Sequence, residues 1–352
     1  MIRVRSNITT SANAMTKLAL VQPSKVKNWE VEFLRRVKSE LSQRTPQSTF
    51  QLVDALEEAD VVLHVDSNRS TKDLATHRKL LQWAAEEGKY AFALSFQDEP
   101  LGVLPGIYTS LGTSNFDPSL HLSWPHLEAP NKNVESAPQV SAKQASQLFT
   151  FLGSCSHPLR RKLFSMYESG HQDKWNVGEI RRWYDHSDDE HENYVSDILN
   201  SRFVLCPRGI AAYSHRIFEA MVLERVPVII ADDWVPFSFP ERDYYVTIPE
   251  SELENLTAHL ERELENYDFY LSNLLAVKSK WLTKTTRYRT VVEHFLDFHR
   301  QHRSGHEPNV LLERLKNYEF RQSNGLLSHQ KLFAFANAIP WRGRKMLEKI
   351  GL

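Results

Sequence analysis

The chain has 352 residues, of which 41% are hydrophobic and 25% charged, and its net charge is −1. This length suits two domains, each with its own core, and the composition is that of an ordinary globular protein. So balanced a charge sets up no overall field to attract nucleic acid or an anionic membrane, and any anion must be held by locally placed groups.

Residues 1–15 read as a disordered lead-in, with Met15 a second candidate start. No apolar run has the length of a signal-peptide core or a membrane span. Residues 18–21 then predict a strand. Over 29–41, Val31, Phe33, Leu34, Val37 and Leu41 recur at helical spacing. DVVLHV at 60–65 predicts a buried strand, 72–87 a helix closed by Gly88, and YAFALS at 90–95 the next strand. This alternation predicts a parallel sheet covered by helices. The polar stretch PNKNVESAPQVS at 130–141 reads as a linker.

A second cycle follows: a strand at 148–152 with a turn at Gly153, helices at 159–167 and 192–200, and a strand at 203–206. A helix at 214–223, a strand at 226–230 and helical segments at 251–266 and 269–302 complete it. The expected fold is α/β, with two Rossmann-like domains facing each other across a cleft and a C-terminal helical extension. The expected boundaries are 16–142, 146–302 and 303–352. Open α/β sheets bind ligands beyond the carboxyl ends of their strands, so both halves should aim those ends at the cleft. The two cysteines, Cys155 and Cys206, end apolar segments and read as buried free thiols in a reducing compartment.

One stretch carries chemistry: FVLCPRGIAAYSHRIFEAMVLERVPVII at 203–230. Read as strand, loop, helix and strand, it sets 207–213 between a strand's carboxyl end and a helix's amino end. That helix end has unpaired N–H groups and partial positive charge. Ser214 suits the N-cap, Gly209 allows close approach of the backbone, and Arg208 offers a planar fork for phosphate oxygens. Arg216 and Glu219 share a helix face, and a carboxylate one turn into the helix can accept both hydroxyls of a ribose. On spacing alone, the same residues are equally the decoration of an ordinary βαβ unit.

PRG, Ser214 with Arg216, Phe218-Glu219-Ala220, Val226-Pro227-Val228 and ADDWVPF at 231–237 occur in one order and spacing. This pattern resembles the exostosin family of glycosyltransferases, and FTFLGSCSHPLRRKL at 149–163 resembles the start of that family's C-terminal domain. The resemblance covers about residues 147–250. It implies a GT-B fold and transfer of a sugar from a nucleotide sugar, commonly a UDP-sugar, to a glycan or glycoconjugate. It also implies Arg208 and Arg160 near the diphosphate, Ser214 and Arg216 supporting that site, Glu219 on the ribose, and Asp232 and Asp233 near the donor sugar.

Two departures stand out. Leu223-Glu224-Arg225 replaces the family's Ala-Gly-Cys, which is expected to be a surface change. The membrane anchor and stem of the family's animal members are missing, so the expectation is a cytoplasmic enzyme of bacterial or viral type.

The sequence contains no Asp-x-Asp, so the transfer is expected to be metal-independent, with the donor as its only small-molecule requirement; for an exostosin-like transferase it is also expected to be inverting. A base should come from the cleft side of the N-terminal domain. Asp98 and Glu99, after YAFALS, lead; His64 and Asp66, in and after DVVLHV, follow. The competing reading makes the acids solvated loop residues or caps and His64 a satisfied core histidine.

YDHSDDEHE at 184–192 reads as a solvated acidic loop rather than a metal site. Trp175, Trp183 and Tyr184 read as core aromatics before sugar-stacking ones. KLFAFANAIPWRGRKMLEKI at 331–350 interleaves aromatic and basic residues. It offers either a peripheral contact at the inner face of a membrane or packing onto the N-terminal domain. A catalytically inactive nucleotide- or carbohydrate-binding partner and a nucleotide-sugar epimerase remain the alternatives to a transferase.

Overall fold

The computed structural model describes residues 15–21, 28–43, 48–66, 74–98, 100, 102–129, 131–167, 174–180 and 188–323. Glu99 and residues 181–187 and 331–350 lie outside that set. So do the expectations for Trp183, Tyr184, the first part of the acidic stretch and the basic-aromatic segment.

The N-terminal half runs β1 (Thr16–Val21), α1 (Asn28–Ser42), β2 (Phe50–Val53), β3 (Val61–Asp66), α2 (Leu74–Glu87), β4 (Tyr90–Ser95), β5 (Gly106–Tyr108) and β6 (His121–Ser123). All six strands are parallel, in the order β2-β1-β3-β4-β5-β6. Every residue of β4 is buried, as expected for a parallel strand covered on both faces.

A short helix, α3 (Lys132–Ser136), lies within the expected linker. Asn131 supplies its cap by accepting from the Asn133 N–H. The second sheet follows with β7 (Gln147–Gly153), α4 (Pro158–Tyr167), β8 (Trp175–Glu179), α5 (Asp188–Leu199), β9 (Ser201–Pro207), α6 (His215–Val222), β10 (Val226–Ile230) and β11 (Val246–Thr247). Its strands are also parallel, in the order β11-β10-β9-β7-β8. Counted within each half, the two sheets share one doubly wound order, and each reverses direction next to its first strand. Trp175 stacks on Phe149 with centroids 5.9 Å apart, which makes it core.

The remaining helices are α7 (Leu256–Glu263), α8 (Tyr267–Trp281), α9 (Arg287–Gln301) and α10 (Pro308–Ser323). The sequence grouped 146–302 together, but the structure divides that span. Phe295 of α9 packs edge-on against Phe92 of β4, and Arg289 donates to the Leu41 carbonyl at the end of α1. Leu311 and Leu315 of α10 share a buried cluster with Leu81 of α2 and Leu104. The last two helices therefore cross back to the first sheet. The amphipathic pattern of α9 reveals a buried stripe but not which sheet covers it.

The departure at Leu223-Glu224-Arg225 is not a surface change. Glu224 has a φ of +58°, the left-handed conformation for which glycine is the natural choice, and costs about 1 kcal/mol there. Its carboxylate meets Lys278 Nζ of α8 at 2.8 Å. Arg225 is fully buried. It donates to the carbonyls of Leu199, Leu223, Glu224 and Val140, which belong to the ends of α5 and α6 and to the interdomain connection. Helix ends leave carbonyls unpaired, and one guanidinium satisfies several at once.

Where α9 and α10 lock onto the first sheet, His299 Nδ1 and His306 Nδ1 lie 2.9 Å apart, and His306 Nε2 lies 2.9 Å from the Ser119 carbonyl. A carbonyl only accepts, so Nε2 of His306 carries its proton, its Nδ1 accepts, and Nδ1 of His299 donates. Both rings are neutral. Burial holds His299 at about 3 and nearby His121 at about 4, against an ordinary 6.5. The unfolded chain binds these protons near pH 6.5 and the folded chain does not. Their contribution to stability is therefore complete above 6.5 and is lost as the pH falls toward 4. Thermal melts should be level from pH 8 to 7 and fall by roughly 5–10 °C by pH 4.5. A level profile through that range would contradict the buried, neutral assignment.

Candidate active site

The carboxyl ends of the two sheets face each other. Beyond β6, the Ser123 hydroxyl donates to the Val235 carbonyl and the Ser123 carbonyl accepts from the Ser238 N–H, both partners lying beyond β10. Trp124 packs edge-on against Phe239 at 4.6 Å. The Thr113 N–H donates to the Asp233 carbonyl. The His126 N–H donates to the Tyr213 hydroxyl, 3.1 Å away in the loop before α6. A cleft between strand ends is thus bridged along one side.

In the second sheet the order reverses between β7 and β9, and the loops leaving those strands define the crevice. Two buried arginines link its walls. Arg160 of α4 donates to the carbonyls of Pro207 and Arg208 after β9 and of Ser154 after β7. Arg216 of α6 donates to the Leu152 carbonyl at the end of β7, with its guanidinium 4.9 Å from the Phe151 ring centre. A Cβ at Gly153 would sit 2.5 Å from Arg216 Nη2, so that position needs glycine. A Cβ at Gly209 would meet Arg160 Nη2 at 3.1 Å and Ser156 Oγ at 3.2 Å. The closeness expected of Gly209 toward a ligand is, in this structure, closeness to neighbouring side chains.

Arg208 belongs to the same loop but turns to the cleft side. Its Nη1 pairs with Asp233 at 2.6 Å and approaches Glu250 at 3.8 Å, while its Nε is buried without a hydrogen-bond partner. Asp232 faces elsewhere: it accepts from the Glu250 N–H, and its own N–H donates to Glu250 Oε1. The two adjacent acids therefore separate, one on the arginine and one on the backbone. His157, before α4, accepts from the Leu159 N–H through Nδ1. Burial, with Arg208 and Arg160 nearby, lowers it to about 4, so it is neutral at pH 7.

Ser214 occupies the N-cap position of α6 without a capping bond from its side chain, and its buried hydroxyl has no partner. Glu219 is completely enclosed. The Tyr194 hydroxyl of α5 donates to its Oε2, and Oε1 has no hydrogen-bond partner. Burial raises the Glu219 carboxyl, while Arg216 and Tyr194 oppose that shift. Both faces of α6 are covered, which is why a residue assigned to the ribose from helix spacing packs against α5 instead.

On the opposite side, Asp98 lies half-buried just after β4, and Asp66 ends β3 opposite Ser95. His64 is 1% exposed, with its ring 5.6 Å from His77 of α2, which puts it under the helix layer. Cys206 is buried and Cys155 only partly so, both as free thiols. No group of three or more metal-binding side chains occurs among the described residues. Spacing did not reveal His157, Tyr194 or Glu250, because each reaches the site from a separate element.

Two doubly wound domains with strand ends apposed and C-terminal helices crossing back make this a GT-B architecture. Residues 106–264 match the family described as the Exostosin GT47 domain, which extends the resemblance back to β5. The chain is 41% identical over 85 residues to the probable glucuronosyltransferase GUT1 of Oryza sativa subsp. japonica, covering 23% of this chain and 20% of that one. It is 40% identical over 76 residues to the probable beta-1,4-xylosyltransferase IRX10 of Arabidopsis thaliana, covering 21% and 18%. The chain thus spans about a fifth of the length of these relatives. Among solved structures it is similar to the lipopolysaccharide outer core galactosyltransferase WaaB, with a TM-score of 0.43 at 10% identity over 80% of this chain and 99% of that one. It is also similar to Anabaena Alr3699/HepE in complex with UDP, with a TM-score of 0.42 at 10% identity over 80% and 100%. These scores carry no weight for the site, which rests on its own geometry.

The two kinds of arginine separate in a variant series. Arg160→Ala leaves several buried carbonyls unpaired and should cost about 2–4 kcal/mol of stability, and Glu219→Ala, which strands Tyr194, about 1–3 kcal/mol. Arg208→Ala removes a partly exposed pair and should stay within about 1 kcal/mol of the parent. Chemical denaturation measures all three. A loss in Arg208→Ala as large as in Arg160→Ala would make Arg208 structural.

Proposed function

We propose that the chain is a glycosyltransferase that moves a sugar from a nucleotide sugar, a UDP-sugar by preference, to a hydroxyl of a glycan or glycoconjugate. The observation carrying this reading is Arg208 in the loop from β9 to α6, which leaves the switch point of a doubly wound sheet, within the segment that matches the exostosin domain. The matched relatives bear transferase names, in keeping with that chemistry.

The donor's diphosphate takes the place that Asp233 now holds on Arg208. Its charge grows as the bond to the sugar breaks, and Arg208 with the α6 amide end stabilises that charge. Glu219, enclosed against α5, supports α6 from behind rather than touching the donor. Displacement by the acceptor from the face opposite the leaving group inverts the anomeric centre. No metal is required, in keeping with the missing Asp-x-Asp.

Calorimetry with UDP and GDP, followed by a panel of their sugars with and without chelator, tests this. Binding of UDP should weaken roughly 10–150-fold in Arg208→Ala, the effect of losing a charge-assisted hydrogen bond. Transfer should survive EDTA. Nucleotide binding without turnover of any donor would favour the inactive-partner reading, and donor conversion with no acceptor present would favour an epimerase.

A further inference from the structure

One contact between the two walls of the cleft brings a pair of imidazole rings together. His126, in the loop after β6, stacks on His215, the first residue of α6, with ring centres 3.9 Å apart and planes at 30°. Tyr213 lies against the same His126 ring at 4.9 Å and Phe96, just after β4, at 5.8 Å. His126 is 9% exposed and His215 more so, which places the pair at the floor of the cleft. One ring belongs to the wall opposite the proposed donor site, and the other stands at the helix end assigned to the diphosphate.

We propose that His126 is the proton acceptor of the transfer and that its contact with His215 makes its basicity depend on the bound donor. The proposal rests on the transferase reading. A base must sit on the acceptor wall, reach an acceptor hydroxyl aligned on the anomeric carbon of a donor held at the start of α6, and be unprotonated before reaction. His126 occupies that wall at that helix end. Asp98 lies one loop away, and His64 is under the helix layer.

In the step, the acceptor hydroxyl gives its proton to a ring nitrogen of His126 while its oxygen bonds to the anomeric carbon. The bond from that carbon to the diphosphate oxygen breaks, and its electron pair leaves on the diphosphate. The imidazolium returns the proton to water as the products depart.

The titratable groups in ring contact with His126 are Tyr213 and His215. Burial keeps the Tyr213 phenol neutral and, together with His215, pushes His126 well below the usual imidazole range. The free enzyme therefore holds a weak base. A diphosphate at the start of α6 adds negative charge beside both rings and favours the imidazolium. Donor binding thus turns the base on.

The test combines kinetics with nuclear magnetic resonance on the full chain. In His126→Asn, kcat should fall about 100-fold or more, with donor KM and UDP affinity within about twofold of the parent. The acid limb of the pH–kcat profile should disappear, and added imidazole should restore part of the rate. In the parent, the His126 resonance should titrate at higher pH with UDP than without. Parent-like kcat in His126→Asn, or an unchanged titration on adding UDP, overturns the proposal. Loss of UDP binding in step with kcat would make His126 a packing residue and overturn it equally. If the parent binds UDP but turns over no donor, the transferase reading fails first and this one with it.

Discussion

The second domain depends on two guanidinium groups that point inward. Arg160 and Arg216 each bond to main-chain carbonyls where β7 and β9 end, and so tie together the two loops between which a doubly wound sheet opens. Carbonyls at strand ends are otherwise left to water, and a buried arginine can satisfy several of them in one plane. With those loops fixed, Arg208 is held by its own N–H on the Ile230 carbonyl and by its side-chain pair with Asp233. The three arginines thus divide into two that bind main-chain carbonyls and one that pairs with acidic side chains.

The cleft is coupled across its walls as well. The loop carrying Asp233, the acid on Arg208, also accepts a hydrogen bond from Thr113 in the first domain. An anion that displaced Asp233 from Arg208 would disturb a residue held from both sides. The helices α9 and α10 return to the first sheet through aromatic and histidine contacts, so both domains are anchored at the chain's far end too. Arg225 adds a third tie, since it binds the Val140 carbonyl of the connection between the domains.

Much of this was legible from residue patterns. Buried strands such as VPVII advertise themselves by consecutive apolar residues, and the PRG loop stands out because it lies between two of them. Strands β2, β5, β6 and β8 have five residues or fewer and lack such runs, so neighbouring strands rather than local composition define them. The pairing of α9 with the first sheet, the burial of Arg225 and the enclosure of Glu219 by Tyr194 depend on contacts far apart in sequence. Helix spacing put Arg216 and Glu219 on one face of α6, but it could not show that this face is covered. Of the site, the motif showed which residues gather and concealed which way they point.

A crystal structure of the chain with UDP bound tests the central claim most directly. The account places phosphate oxygens within hydrogen-bond distance of the Arg208 guanidinium and of the first N–H groups of α6, with the Asp233 carboxylate displaced. A nucleotide bound elsewhere, with the Arg208–Asp233 pair intact, would contradict it.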